Sequence, residues 1–225
     1  MHRQFSNRKE AGERLAAAVL RLALVDPLVL ALPRGGVPVA AEVARALHAP
    51  LDLLIAHKIG APGQPELAVA AIAEGAPSTV VVDERAARVT DAAQAYIERE
   101  ARTQRNEIER RRTAYRRGRA RLAVAGKTVV VVDAGIATGA TGATMRASLQ
   151  ALRRLRPARL VLAVPVAPTD TIAALSSLAD DVVCLWQPAS FGSVGAYYRD
   201  FRQVEDDEVI ALLDAAHPSG LHERD

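Results

Sequence analysis

The sequence predicts an α/β fold with a mostly parallel central sheet and flanking helices, and three observations carry that expectation. Short aliphatic runs recur, each followed by a helix-like stretch, the alternation that builds parallel sheets through right-handed crossovers. Residues 129–132 are four successive valines, an unbroken apolar run suited to a strand covered by helices on both faces. Two of the runs lead directly into glycine-containing turns that open helices, which places candidate ligand sites at the carboxyl ends of strands.

The elements follow in order. An opening helix over 7–24 precedes a strand at 28–32 and a helix at 37–47. The next strand, 51–57, is ended by Lys58, and residues 59–66, with two prolines and two glycines, read as an irregular loop. Apolar pieces at 68–73 and 79–82 suit a hairpin. Residues 90–117 read as one long helix whose apolar stripe, Ile97, Ala101, Ile108 and Tyr115, is thin, so weak packing and mobility are expected. A helix to residue 154, a strand at 159–164, a helix at 169–178 and a strand at 182–186 complete the alternation. Five of the eight aromatics, Trp186, Phe191, Tyr197, Tyr198 and Phe201, then cluster before a terminal helix at 205–215. These rings either stack on a planar ligand or cover the sheet edge and seat that helix. Residues 217–225 read as frayed.

At 225 residues, half of them hydrophobic, the chain suits one domain with one good core and needs no second. Within it, residues 83–121 form a basic helical insertion and 187–225 an aromatic tail with a terminal helix. No apolar run approaches the roughly 20 residues of a membrane span, and the start lacks the apolar block of a secretion signal, so a cytoplasmic protein is expected. The single cysteine, Cys184, excludes an intrachain disulfide and sits in an apolar run as a core thiol. Residues 83–121 hold twelve arginines against seven acidic residues, a local net charge of +5 in a chain of +3. Seven of those arginines fall within 110–121 with no acid among them, which suits either a solvated helical face or attraction to polyphosphate or nucleic acid. With only Tyr96 and Tyr115 as aromatics there, stacking on single-stranded RNA has little support.

The stretch 128–145, TVVVVDAGIATGATGATM, carries the strongest chemical signal. A buried strand ends in Asp133, and a loop of Gly, Ala and Thr opens a helix whose Met145, Leu149 and Leu152 keep helical spacing. Small residues let backbone amides approach an anion, and the helix N-terminus favours phosphate. The loop lacks the Gly-Lys-Ser/Thr of a Walker motif. Its Gly135, Gly139 and Gly142, spaced four and three apart, miss the dinucleotide fingerprint. A carboxylate beside a phosphate cradle suits a sugar phosphate, whose hydroxyls donate to the carboxylate. A second strand–turn–helix segment, 28–43, sets Arg34, Gly35 and Gly36 at a strand's carboxyl end.

The stretch 129–141 resembles the phosphoribosyl-pyrophosphate (PRPP) motif of type I phosphoribosyltransferases, and Pro-Arg-Gly-Gly resembles their pyrophosphate loop. The K-x-G-A-P-G-x-P-E-x-A segment at 58–68, the arginine-rich helix and the tail FGSVGAYYRDF at 191–201 resemble a bacterial subgroup of that family. The resemblance implies a type I phosphoribosyltransferase-like fold and displacement of pyrophosphate from C1 of PRPP by a nitrogenous acceptor, usually a nucleobase, with Mg²⁺ and as a homodimer. It implies catalytic roles for Asp133, Arg34 and Lys58, with Asp133 holding the ribose hydroxyls, and a 5′-phosphate site at Ala137, Thr138, Gly139, Ala140 and Thr141. Pyrophosphate contacts fall to Arg34, Gly35, Gly36 and Lys58, base contacts to Phe191, Val194 and Tyr197, and a lid to the arginine-rich helix. Two departures stand out. Ala134 replaces the family's second acidic residue, and Thr-Gly-Ala occurs twice, giving overlapping ATGAT loops of which the first keeps the family's distance from Asp133. A binder of PRPP or nucleotide without turnover, using the basic helix on RNA or protein, is the alternative.

Overall fold

The structure, a computed structural model, describes residues 4–74 and 78–216, without the side chains of residues 140 and 141. Its elements are α1 (Arg8–Leu20), β1 (Pro27–Ala31), α2 (Gly36–Leu47), β2 (Leu51–Leu53), β3 (Ala56–Ala61), β4 (Gln64–Ala73), β5 (Thr79–Val82), α3 (Glu84–Val89) and α4 (Gln94–Arg116). There follow β6 (Thr128–Val132), α5 (Ala140–Arg154), β7 (Arg159–Val166), α6 (Thr169–Leu175), β8 (Asp181–Trp186) and α7 (Asp206–Ala216). Five strands form a parallel sheet in the order β2-β1-β6-β7-β8.

The valine run behaves as its composition dictates. Val130 and Val132 enter one core with Leu15, Val37 and Val43 of α1 and α2. Val129 and Val131 enter the other with Met145, Leu149 and Leu152 of α5. A strand with both faces apolar is thus sandwiched between two helical layers, which fixes the carboxyl ends of β1 and β6 as a rigid platform.

Residues 51–66 depart from the expectation. The strand expected over 51–57 stops at Leu53, and the segment expected as an irregular loop is a β-hairpin: β3 and β4 pair antiparallel, with β5 on the other side of β4. The prolines are accommodated because the register slips at Gly60, which pairs with Ala68, while Ala61 pairs with Gln64. Residues 65–67 therefore stand out of the ladder. A Cβ on Gly60 would lie 2.5 Å from the Pro65 carbonyl oxygen, so glycine is what permits the bulge. Lys58 consequently lies inside β3 rather than at a strand end. The expected pairing of 68–73 with 79–82 is present as β4 and β5.

The thin stripe of α4 is buried as its spacing predicts, at Ile97, Ala101, Ile108 and Tyr115. Its C-terminal end carries an anchor that the stripe did not reveal. Arg116 is buried, with Nε 3.0 Å from Asp52 Oδ1 and Nη2 3.0 Å from both Glu74 Oε1 and the Leu53 carbonyl. Helix α4 is thereby tied to β2 and to the end of β4. Elsewhere the segment before α1 pairs with the aromatic tail. The Phe5 N–H donates to the Tyr197 carbonyl at 2.9 Å, and the Arg199 and Asp200 N–H groups donate to Phe5 and Ser6. Cys184 is half-buried, and its thiol donates to the Trp186 carbonyl at 3.2 Å. Residues 217–225, expected to fray, lie outside the described residues. Among those described, no helix is long and apolar enough to cross a membrane.

Candidate active site

Because β1 and β6 are neighbours in register, with Ala31 opposite Val132, the turn after one and the loop after the other start side by side. They touch. A Cβ on Gly36 would lie 2.9 Å from the Val132 carbonyl oxygen and 3.2 Å from Asp133 Oδ1, so a side chain there would push the two apart. The Pro33–Arg34 peptide bond is cis. In the turn, the Gly36 and Val37 amides bond to the Leu32 and Arg34 carbonyls, whereas the Gly35 amide has no acceptor among the described residues.

Asp133 stands half-buried at this junction, its Oδ1 accepting from the Ala134 N–H at 2.7 Å. Burial pushes its carboxyl up to about 7, against the opposing pull of the Ala134 N–H and the Arg8 guanidinium. Such a carboxyl is poised to change charge at neutral pH, a property that clusters at functional sites. The loop then turns at Gly135, with φ +156°, where a Cβ would lie 2.7 Å from Val194 Cγ1 and 2.9 Å from Val166 Cγ1. The aromatic tail is therefore folded down onto the Asp133 loop. In it Phe191 stacks on Tyr197 at 5.2 Å between ring centres, and Trp186 meets Tyr197 edge-on at 5.0 Å. The Tyr198 hydroxyl donates to the Ala134 carbonyl.

Further along, Ala137 is half-buried, Thr138 and Gly139 are exposed, and Gly139, at φ +75°, caps the start of α5. The first-turn amides of such a helix lack intrahelical acceptors and face outward as donors. The side chains of Ala140 and Thr141 are outside the described set. A cavity of about 610 Å³ is lined by Thr138, Gly139, Gly142 and Arg146, by Asp170 and Thr171 of α6, and by residues of β4, β5 and the start of α3. Asp133, Gly35 and Gly36 do not line it, so it approaches the loop from the α5 and α6 side.

The other expected residues are placed differently. The Arg34 Nη1 lies 3.5 Å from Asp206 Oδ1 and 3.8 Å from Glu205 Oε2 at the start of α7. Asp206 also accepts from the Tyr115 hydroxyl at 2.8 Å, and burial with this carboxylate pushes the phenol up to about 12. Lys58 pairs with Glu66 at 2.6 Å within its own hairpin, and no described contact brings it to Asp133. The arginine cluster is largely matched by acids. Arg110 and Arg111 share Glu107, whose carboxyl they pull down to about 2, Arg112 meets Glu109, and Arg119 meets Asp214. Among the described residues no three His, Cys, Asp or Glu side chains converge as a cation site.

A family model described as a phosphoribosyl transferase domain matches residues 4–199. The chain belongs to the phosphoribosyltransferase family. Two curated Mycobacterium tuberculosis proteins, from strains H37Rv and CDC 1551 and provisionally named phosphoribosyl transferases, are each 46% identical over 213 residues. That is 95% of this chain but 47% of theirs, so this chain spans about half the length of those relatives. The crystal structure of TT1426 from Thermus thermophilus is 45% identical, covers 93% of this chain and 97% of its own, and superposes with a TM-score of 0.80.

The family match begins at residue 4, so residues 4–7 and α1 belong to the phosphoribosyltransferase domain. Two residues at the junction were not singled out as site residues from the sequence. In the sequence Tyr198 is one of five clustered rings, and in the structure its hydroxyl donates to the Ala134 carbonyl. Arg8 sits at the start of a helix with an ordinary mixture of charges, and nothing in its neighbours marks it. In the structure its Nε and Nη2 lie 3.8 Å from where a Gly35 Cβ would stand, and the guanidinium carbon lies 3.9 Å from the Phe201 ring centre.

Proposed function

We propose that this domain is a PRPP-dependent phosphoribosyltransferase in which a nitrogen nucleophile, a nucleobase, displaces pyrophosphate from C1 of PRPP. The observation that carries the reading is the contact of Gly36 with Asp133, which joins a glycine turn and a carboxylate at the carboxyl ends of two adjacent parallel strands. In this reading Asp133 holds the ribose hydroxyls and the residues 137–141 hold the 5′-phosphate through backbone amides at the start of α5. The turn at Arg34, Gly35 and Gly36 receives the diphosphate. Phe191, Val194 and Tyr197, folded against the Asp133 loop, form one wall for a flat acceptor. The reaction passes through an oxocarbenium-like state, so the domain's work is placement of the ribose and electrostatic support of the departing diphosphate.

Mg²⁺ suits this arrangement only in part. The chain offers one carboxylate, Asp133, with Oδ1 engaged by Ala134, and Ala134 leaves the neighbouring position without a donor. A hard cation needing about six oxygens would take most of them from the diphosphate, the ribose and water. When bound there, Mg²⁺ supplies charge neutralisation of the diphosphate. A missing second carboxylate removes a charged hydrogen bond worth about 1–3 kcal/mol, and slow turnover is expected. Ala134 also favours a second reading, binding of PRPP or nucleotide without turnover. The ion pairs of Arg110, Arg111, Arg112, Arg116 and Arg119 count against use of the basic helix on nucleic acid, because they engage five of the seven arginines at 110–121.

Isothermal titration with PRPP and Mg²⁺, followed by pyrophosphate release with a panel of purines and pyrimidines, tests both. Binding with release supports the transferase, and binding without release supports the second reading. No binding at millimolar PRPP sinks both.

A further inference from the structure

The turn that the transferase reading assigns to diphosphate has lost its own cation. Arg34 points to Asp206 and Glu205, so its charge is already opposed by two carboxylates. Facing the same turn from the other side is Arg8, 9% exposed and therefore nine-tenths buried. Its Nη1 donates to the Arg202 carbonyl at 2.8 Å, and its guanidinium carbon lies 3.9 Å from the Phe201 ring centre. Its Nε is buried with no partner, and it makes no ion pair among the described residues. Asp200, Glu208 and Asp133 act on it only through space. A guanidinium taken out of water without a counter-ion is costly, and an arriving anion removes the cost. Its Nε and Nη2 lie 3.8 Å from where a Gly35 Cβ would stand, and the Gly35 amide has no acceptor among the described residues. A planar fork of donors with an open backbone N–H alongside matches a phosphate group.

We propose that Arg8, carried by α1 and held over the Gly35 turn by Phe201 and the Arg202 carbonyl, is the cation that binds the diphosphate of the substrate. This rests on the transferase reading for the identity of the ligand but not for the existence of an anion site. The N-terminal segment is then part of the ligand-binding machinery: pairing of Phe5 with Tyr197 and of Ser6 with Asp200 sets the position of α1 and hence of the guanidinium.

The experiment is isothermal titration of the wild-type protein, Arg8→Gln and Arg8→Lys with inorganic pyrophosphate, ribose 5-phosphate and PRPP, each with Mg²⁺, alongside thermal melts. Loss of one charged, forked hydrogen-bond donor lowers affinity about ten- to a hundredfold. Arg8→Gln is expected to weaken pyrophosphate and PRPP by that factor while ribose 5-phosphate is unchanged, because its phosphate goes to residues 137–141. Arg8→Lys, which keeps the charge and the fold but not the fork, is expected to fall between the two. Equal weakening of pyrophosphate and ribose 5-phosphate, or no weakening of pyrophosphate in either variant, overturns the proposal. If wild-type protein binds pyrophosphate in an Arg8-dependent way but binds neither PRPP nor ribose 5-phosphate, the anion site stands and the transferase reading falls. If PRPP binds with affinity independent of Arg8, the transferase reading stands and the role of Arg8 falls.

Discussion

Arg116 at the end of α4 and Arg8 at the start of α1 are both nearly removed from water, yet one meets two carboxylates and the other, among the described residues, meets none. Arg116, Asp52 and Glu74 have side chains each 6% exposed, and the guanidinium donates to both acids and to the Leu53 carbonyl. Arg8 donates to one carbonyl, lies on one ring and leaves Nε unpaired. The first region ties the basic helix to both sheets, and every charge in it is answered from within the chain. The second lies beside a carboxyl raised to about 7 and a glycine turn with an open amide, and its charges await something from outside. Internal satisfaction marks structural ion networks, and its lack beside a perturbed carboxyl marks a ligand site.

The largest effect is expected where the network is complete. Arg116→Ala leaves Asp52 and Glu74 buried without a counter-charge, and breaking a buried pair in this way costs about 3–5 kcal/mol. Urea denaturation measures it, and titration with PRPP under folding conditions is expected to be unchanged. A loss under about 1 kcal/mol would mean that the network behaves like a surface ion pair and that α4 is held by its apolar stripe alone.

Asp133→Asn comes next and carries the opposite sign. The carboxyl is about 7 when folded against about 3.9 in an unfolded chain, so the folded protein holds its proton more tightly. The stability it contributes is therefore fully present below about pH 4 and lost as pH rises through about 7. With the ionised form destabilising the fold, Asp133→Asn is expected to gain about 2–4 kcal/mol at pH 8 and nothing at pH 4, while PRPP binding is abolished. Thermal melts across that range check it. Parallel pH profiles for the variant and the wild-type protein would remove Asp133 from the contrast.

How far each region was legible follows from where its partners lie in the chain. The valines at 129–132 and the glycine loop after them are consecutive, so strand, carboxylate and helix start can be read off one segment, and the structure keeps them together. Residues 59–66 misled because prolines in a strand are tolerated only at a bulge, and the bulge depends on the Gly60 pairing with Ala68, which no local pattern declares. Arg116 is one of seven arginines within twelve residues, and only the burial of Asp52 and Glu74 distinguishes it from its neighbours. Lys58 lies inside β3, not at the strand end that its sequence position suggests, and pairs there with the exposed Glu66. Arg8 depends on residues some 190 positions away, Phe201 and Arg202, and no periodicity within α1 points to them.

The smallest stability effect is expected at Arg8, and that is what separates it from Arg116. In Arg8→Met the hydrogen bond to the Arg202 carbonyl and the cation–π part of the contact with Phe201 are lost, which together cost about 2–3 kcal/mol. The same change removes the desolvation of an unpaired guanidinium, of similar size and opposite sign, and leaves no carboxylate orphaned, since none was paired with it. Methionine retains an unbranched apolar stem to lie on Phe201. The net change is therefore expected to stay within about 1 kcal/mol by urea denaturation, in either direction. A loss near that of Arg116→Ala would place Arg8 in the same structural class. A near-neutral change, set against a loss of pyrophosphate affinity, would mean that burial of this charge serves a ligand and not the fold.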